Sequence, residues 1–154
     1  MKELLITGAW RCGEQQVQAL EQMGYAVTFW PDERQTVNMD TQRFEAVICG
    51  GLFLTTPIER FPALKCIQVT SAGLDRVPLD YCKAHGITVY NAGGVYSAPM
   101  AEFVLGGILQ LYKESKFFAE NQAAHRWEKH RGLRELSGKT ACIIGTGSVG
   151  SARR

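Results

Sequence analysis

Apolar residues in this chain gather into short β-branched runs, and the polar segments between them carry apolar positions at helical spacing. Residues 3–7 (Glu-Leu-Leu-Ile-Thr) predict a first strand, ended by Gly8. Residues 12–23 predict a helix with Val17, Leu20 and Met23 on one face and Glu14, Gln15, Gln18 and Glu21 elsewhere. Gly24 stops it as a C-terminal cap would. Further strands are expected at 25–30, closed by Pro31, at 44–49, ended by Gly50-Gly51, at 65–70 and at 87–90. A helix over 75–85 ends at Gly86. Two stretches stay open: 32–42 is polar and either loop or short helix, and 58–64 is a turn or short helix. Strands alternating with helices at these intervals predict an α/β fold, a parallel sheet covered on both faces and wound through right-handed crossovers.

In such sheets ligands lie beyond the carboxyl ends of the strands. The loops there are Gly8-Ala-Trp, Gly50-Gly51-Leu52, Ser71-Ala-Gly73 and Asn91-Ala-Gly-Gly94. Paired small residues let backbone approach a bound anion, or simply make turns; for Gly50-Gly51 the two readings weigh equally.

The pattern changes after residue 96. Ser97 is placed as an N-cap and Pro99 in the first turn of a helix. From 100 to 112 that helix is apolar almost all round, apart from Glu102 and the small pair Gly106-Gly107. Such a helix is buried on several sides, between domains or against a second subunit. Residues 113–134 read as a polar arm or further helix with Phe117, Phe118 and Trp127 embedded. Those aromatics either fold back on their own core or mark an interaction surface, and the second reading is preferred. Finally, 140–144 is an apolar run that reads as a buried strand, followed directly by Gly145, Gly147 and Gly150 as G-x-G-x-x-G. The first glycine permits the turn, the second lets backbone approach a pyrophosphate, and the third allows close helix packing.

Composition narrows the picture little: 45% hydrophobic residues and a net charge of +2 fit an ordinary globular chain and give no argument for nucleic acid or an acidic membrane. Arg126, Lys129, Arg131, Arg134, Lys139, Arg153 and Arg154 outnumber Glu128 and Glu135 late in the chain, which reads as a solvated face. The five cysteines show no CxxC spacing, so no metal is expected and a reducing, cytoplasmic setting is. Cys49, Cys66 and Cys142 sit in apolar runs, as small hydrophobes. No segment reads as a signal peptide or a membrane span.

Four motifs run in order: Ser71-Ala-Gly-Leu-Asp-Arg-Val-Pro-Leu-Asp, His85-Gly-Ile-Thr-Val-Tyr-Asn, Val95-Tyr-Ser-Ala-Pro-Met-Ala-Glu102 and Leu136-Ser-Gly-Lys-Thr-Ala-Cys-Ile-Ile-Gly-Thr-Gly-Ser-Val-Gly150. Together they resemble the N-terminal half of the NAD(P)-dependent D-isomer-specific 2-hydroxyacid dehydrogenases, the group containing phosphoglycerate and glyoxylate/hydroxypyruvate reductases. The resemblance covers nearly the whole chain from Glu45 onward.

It implies a flavodoxin-like substrate domain over 1–96, connecting and homodimer-forming helices over 97–135, and the start of a truncated NAD(P)-binding Rossmann domain over 136–154. By position, Ser71, Ala72 and Gly73 match the loop whose amides hold the substrate carboxylate, with Gly51 and Leu52 on the neighbouring loop. Tyr96 and Met100 match positions bordering substrate and nicotinamide. Gly145, Thr146, Gly147, Ser148, Val149 and Gly150 match the pyrophosphate loop for NAD or NADP. The family's catalytic arginine, acid and histidine are expected downstream of Arg154, and His85, His125 and His130 match none of them. Asp75 reads as a helix cap, and Arg76 as solvated rather than anion-binding.

The expected whole protein transfers hydride between NAD(P) and a small 2-hydroxy or 2-oxo acid, and this chain alone is expected to be inactive. The alternative is a non-catalytic flavodoxin-like dimerisation or interaction module, for which a terminal glycine loop has no use. Residues 136–154 are expected to be disordered or packed opportunistically, and 100–112 to expose apolar surface unless dimerised.

Overall fold

A computed structural model of the chain describes residues 1–152; Arg153 and Arg154, counted above in the basic cluster, lie outside the described residues. It comprises two compact units, Met1–Gly93 and Gly94–Arg154.

In the first unit, β1 (Lys2–Thr7), β2 (Tyr25–Trp30), β3 (Ala46–Cys49), β4 (Cys66–Val69) and β5 (Thr88–Tyr90) form one parallel sheet in the order β2-β1-β3-β4-β5. That is the flavodoxin-like doubly wound order, with its switch point between β1 and β3. Every predicted strand of this unit is present. Leu4 pairs with Val27 on one side and Ala46 on the other, and Val47 pairs with Ile67.

The period of two divides the strands between two cores. On one face Leu4, Ile6 and Ala46 pack with Leu20 of α1 (Glu14–Gln22) and with Trp10 and Cys12. On the other, Leu5, Val47, Cys49, Ile67 and Val69 pack with Phe44, Leu52, Ile58, Phe61 and Cys82 of α2 (Leu79–Ala84). Leu5, Ile6 and Ile67 are fully buried; each such side chain contributes roughly 1.5–3 kcal/mol relative to exposure.

Both helices are shorter than expected, for local reasons. Gly13 caps α1, its N–H donating to Gln16 Oε1 at 3.0 Å, and Met23 beyond the helix is exposed rather than on the buried face. Pro78 biases Val77 away from helix, so 75–77 form a turn and α2 begins at Leu79. Asp75 therefore caps nothing.

Residues 32–42 form no helix. They run as a strap stitched to the 50–60 segment by side chains nineteen positions apart: Thr36 Oγ1 donates to Thr55 O (3.0 Å), Val37 N–H to Thr56 Oγ1 (3.0 Å) and Thr41 Oγ1 to Arg60 O (2.5 Å). Two 3₁₀ turns, Leu52–Leu54 and Ile58–Arg60, lie in that segment.

The second unit contains α3 (Ser97–Tyr112) and α4 (Ser115–Ala123). Ser97 is the first residue of α3 rather than its cap; Tyr96 holds the cap position. Residues 140–144 are not a strand, because no described strand of the unit offers them a parallel partner. Instead Ala141, Cys142 and Ile143 lie against Ala101, Val104, Leu105 and Ile108 of α3 around a cavity of about 290 Å³. Cys142 is exposed and not the buried small hydrophobe expected. Phe103, Leu111 and Trp127 are 84%, 79% and 101% exposed. Among the described residues no helix is long and apolar enough to cross a membrane.

Candidate functional site

Because all five strands run the same way, the loops after β1, β3, β4 and β5 emerge along one edge of the sheet in that order. That edge is where open α/β sheets bind ligands. Two of its loops have opposite hydrogen-bond chemistry.

In the loop after β4, acceptors are consumed and donors left over. Ala92 N–H donates to Ser71 O (2.9 Å), Asn91 Nδ2 to Ala72 O (2.7 Å) and Ser71 Oγ to Gly73 O (2.9 Å). The N–H groups of Ser71, Ala72 and Gly73 donate to no acceptor among the described residues. Ala72 and Gly73 are exposed. A turn with its carbonyls tied back and its amides open presents partial positive charge, the arrangement that receives an anion. Asn91 is fixed in turn by Gly93 N–H donating to its Oδ1 at 3.1 Å.

In the loop after β3 the donors are already used. Glu33 Oε2 accepts from Thr7 Oγ1 (2.7 Å) and Gly50 N–H (3.0 Å), and its Oε1 from Gly51 N–H (2.5 Å). The neighbouring Leu52 has a fully buried side chain. Gly51 and Leu52 thus stand beside the β4 loop with the Gly51 amide committed to Glu33. Glycine at 50 is what allows this: a Cβ there would crowd Glu33 Oε1, Ala9 Cβ and Thr70 Oγ1, at 2.9, 3.2 and 3.2 Å. Neither Glu33 nor Asn91 was singled out as a side chain from sequence. The available signals were an acid just past the Pro31 that closes β2 and an amide side chain at the end of β5.

The rim carries one charge of each sign. Asp75 Oδ1 lies where a Gly73 side chain would begin, and the Arg76 stem passes Gly51. His85 is remote from this edge: it follows α2 and precedes β5, its ring stacks on Tyr81 at 3.8 Å, and Nδ1 lies 2.9 Å from Tyr81 O. No cluster of three or more His, Cys, Asp or Glu is placed to hold a metal among the described residues. Burial, with Glu33's charge adding, pushes the Cys49 thiol up to about 12, so it is no nucleophile at neutral pH.

Tyr96 and Met100 lie in the second unit, at the cap and first turn of α3, both partly exposed. His125 and His130 are there too; His130 Nε2 pairs with Glu114 Oε2 at 2.8 Å and its ring lies 4.5 Å from Phe117. The glycine segment makes a turn although the run before it forms no strand. Gly145 is left-handed (φ 102°), a Cβ at Gly147 would meet nothing within 4 Å, and one at Gly150 would overlap the Gly145 carbonyl. Ser151 N–H donates to Gly147 O (3.0 Å) and Ala152 N–H to Val149 O (3.1 Å), a helix-like turn that begins within the loop.

Comparison with known proteins agrees with this architecture. Residues 5–146 match the family model described as D-isomer specific 2-hydroxyacid dehydrogenase, catalytic domain. A glyoxylate/hydroxypyruvate reductase of Arabidopsis thaliana is 30% identical over 109 residues, 68% of this chain and 34% of that protein. A second Arabidopsis thaliana glyoxylate/hydroxypyruvate reductase is 28% identical over 86% of this chain and 44% of its own length. Among solved structures, D-lactate dehydrogenase from Aquifex aeolicus, complexed with NAD and lactic acid, shares the fold with a TM-score of 0.73 at 24% identity, over 96% of this chain and 46% of that one. The chain spans less than half the length of each of these relatives. With its family model matched over residues 5–146, the chain belongs to the D-isomer specific 2-hydroxyacid dehydrogenase family.

Proposed function

We propose that this chain is the acid-binding half of an NAD(P)-dependent dehydrogenase acting on a small 2-hydroxy or 2-oxo acid. The observation that carries the reading is the β4 loop, whose three uncommitted amides at Ser71, Ala72 and Gly73 suit a carboxylate. The names of the relatives, reductases of glyoxylate and hydroxypyruvate, support that substrate class.

The glycine loop fits a dinucleotide in this reading. Gly145 and Gly150 make the tight turn, Gly147 leaves the backbone open to approach, and the amides of Gly145, Thr146, Gly147, Ser148, Val149 and Gly150 hold the pyrophosphate. When bound, the nicotinamide supplies hydride to the 2-oxo acid or accepts it from the 2-hydroxy acid. Tyr96 and Met100 border substrate and nicotinamide. Gly51 and Leu52 flank the acid loop.

A proton must also move at the substrate oxygen, which requires an acid–base group within hydrogen-bond reach. In the first unit the only histidine, His85, lies at the wrong end of the sheet. The arginine, acid and histidine of the family are placed outside these 154 residues, and the chain alone binds acid without turning it over. A second copy is proposed to cover 97–135, since Phe103, Leu111 and Trp127 are exposed. The cytoplasmic setting rests on five free thiols.

Titrating the chain with glyoxylate while following backbone amide resonances tests the reading. The Ser71, Ala72 and Gly73 signals are expected to shift in a saturable way; signals that stay put overturn it. NAD(P)H oxidation by the 154-residue chain with glyoxylate is expected to be absent, and turnover would overturn the placement of the catalytic groups.

A further inference from the structure

Doubly wound sheets bind anions at the switch point, where two neighbouring loops diverge and backbone amides converge. In this chain that point lies between β1 and β3, and a side chain of the protein fills it. Glu33 receives three donors there: the Thr7 hydroxyl and the amides of Gly50 and Gly51, at 2.7, 3.0 and 2.5 Å. Its main chain holds the same loop from the other side. Glu33 O accepts from Thr55 Oγ1 at 2.7 Å, and that hydroxyl also lies 3.2 Å from Leu52 O.

Such contacts fix the loop at both ends. A Cβ built on Gly50 would lie 3.2 Å from Thr70 Oγ1 and one on Gly51 3.7 Å from Arg76 Cδ, so both glycines stand close to residues on either side of the loop of Ser71, Ala72 and Gly73. A carboxylate held by two amides and a hydroxyl is chemically what a bound acetate or formate would be.

We propose that Glu33 is a positioning residue: its carboxylate is a resident anion at the switch point, and through Gly50 and Gly51 it sets the geometry of the Ser71–Gly73 loop. It closes this crevice to outside anions and leaves the β4 loop as the donor-rich site on the edge. The role for the β4 loop rests on the acid-binding reading above; the resident anion does not.

Residue-resolved amide exchange on the full chain provides the test. In Glu33→Ala, exchange at Gly50 and Gly51 is expected to accelerate about ten- to a hundredfold, the scale of lost hydrogen bonds to a charged group. Acetate is expected to restore protection in a saturable way, and chloride at equal ionic strength to do nothing. The Ala72 and Gly73 resonances should shift in Glu33→Ala and return with acetate, with the unsubstituted chain in acetate as control.

A role that is merely packing is not rescued by a small carboxylate. Unchanged exchange at Gly50 and Gly51, or lost protection that acetate fails to restore, overturns the proposal. Ala72 and Gly73 signals that ignore the substitution overturn the positioning role. Should Glu33→Ala fail to fold, Glu33→Gln retains size and one acceptor oxygen. It is expected to speed exchange at one of the two glycines, and unchanged exchange at both overturns the proposal. If glyoxylate leaves 71–73 untouched while acetate rescues Glu33→Ala, the acid-binding reading fails and the resident anion stands.

Discussion

Two tetrapeptides of nearly the same composition have opposite fates in this chain. Ala46-Val-Ile-Cys49 is β3, paired with β1 on one side and β4 on the other, with Val47 and Cys49 each 1% exposed. Ala141-Cys-Ile-Ile144 has no strand neighbour among the described residues, and Ile144 is 99% exposed. Intrinsic preference for extended backbone cannot separate them. What separates them is supply of partners: β propensity measures how well a side chain packs on a half-buried pleated surface, and only the first unit provides that surface. The same contrast holds for whole elements, since the strands of the first unit close over two cores while α3 leaves Phe103 and Leu111 uncovered.

The largest effect expected from this contrast comes from a buried charge. Val47→Asp places an unpaired carboxylate at the centre of the sheet and should cost more than about 4 kcal/mol. Ile144→Asp should lie within about 0.5 kcal/mol of the unsubstituted chain. Urea unfolding of both variants measures the difference, and similar losses would mean that 140–144 is packed far better than its exposure indicates.

Thiol chemistry sharpens the comparison next. With its thiol pushed up to about 12, Cys49 should alkylate about a thousandfold more slowly than an ordinary thiol at pH 8 from ionisation alone, while exposed Cys142 reacts first. Peptide mapping after timed iodoacetamide treatment reads the order. The sign for stability follows from the raised value. The thiol is neutral in both states below the ordinary 9.0, so nothing is lost there; stability then falls as pH rises from 9.0 toward about 12, where only the unfolded chain ionises freely. Cys49→Ala should lessen that alkaline decline without abolishing it, because burial also raises the thiols of Cys66 and Cys82.

Much of the sheet was legible because glycine and proline punctuate it: Gly8, Pro31, Gly50 and Gly86 each mark an element end in both sequence and structure. The strap was illegible because it has no internal period. Its order comes from Thr36, Val37 and Thr41 meeting partners nineteen residues away, and no local window contains both ends of those bonds. Glu33 was hidden for the same reason. The Ser71–Gly73 loop was visible as a motif, but its donor-rich character depends on the side chain of Asn91 closing over Ala72 O. Residues 140–144 have the pattern of a strand but lie against α3 instead, the opportunistic packing expected of 136–154, because a buried run is buried only when the rest of a sheet is at hand.

Glycines give the finest test of the two regions, because the same added methyl group should act with opposite sign. Gly8 N–H donates to Trp30 O at 2.9 Å, and a Cβ on Gly8 would overlap the Pro31 carbonyl. That carbonyl is backbone at the end of β2 and cannot swing away as a side chain would, so Gly8→Ala should destabilise by about 1–3 kcal/mol. Gly106 lies within α3, where a Cβ would meet nothing within 4 Å. Gly106→Ala should therefore stabilise α3 by about 1 kcal/mol through helix propensity alone. Denaturation followed by far-UV circular dichroism measures both, and sedimentation equilibrium adds a second readout. If a second copy seats against the small pair Gly106-Gly107, the methyl group that helps the helix should weaken self-association. Equal and unfavourable effects at the two glycines, with association unchanged, would mean that the open face of α3 is filled within the chain itself, and the contrast between the two regions would not hold.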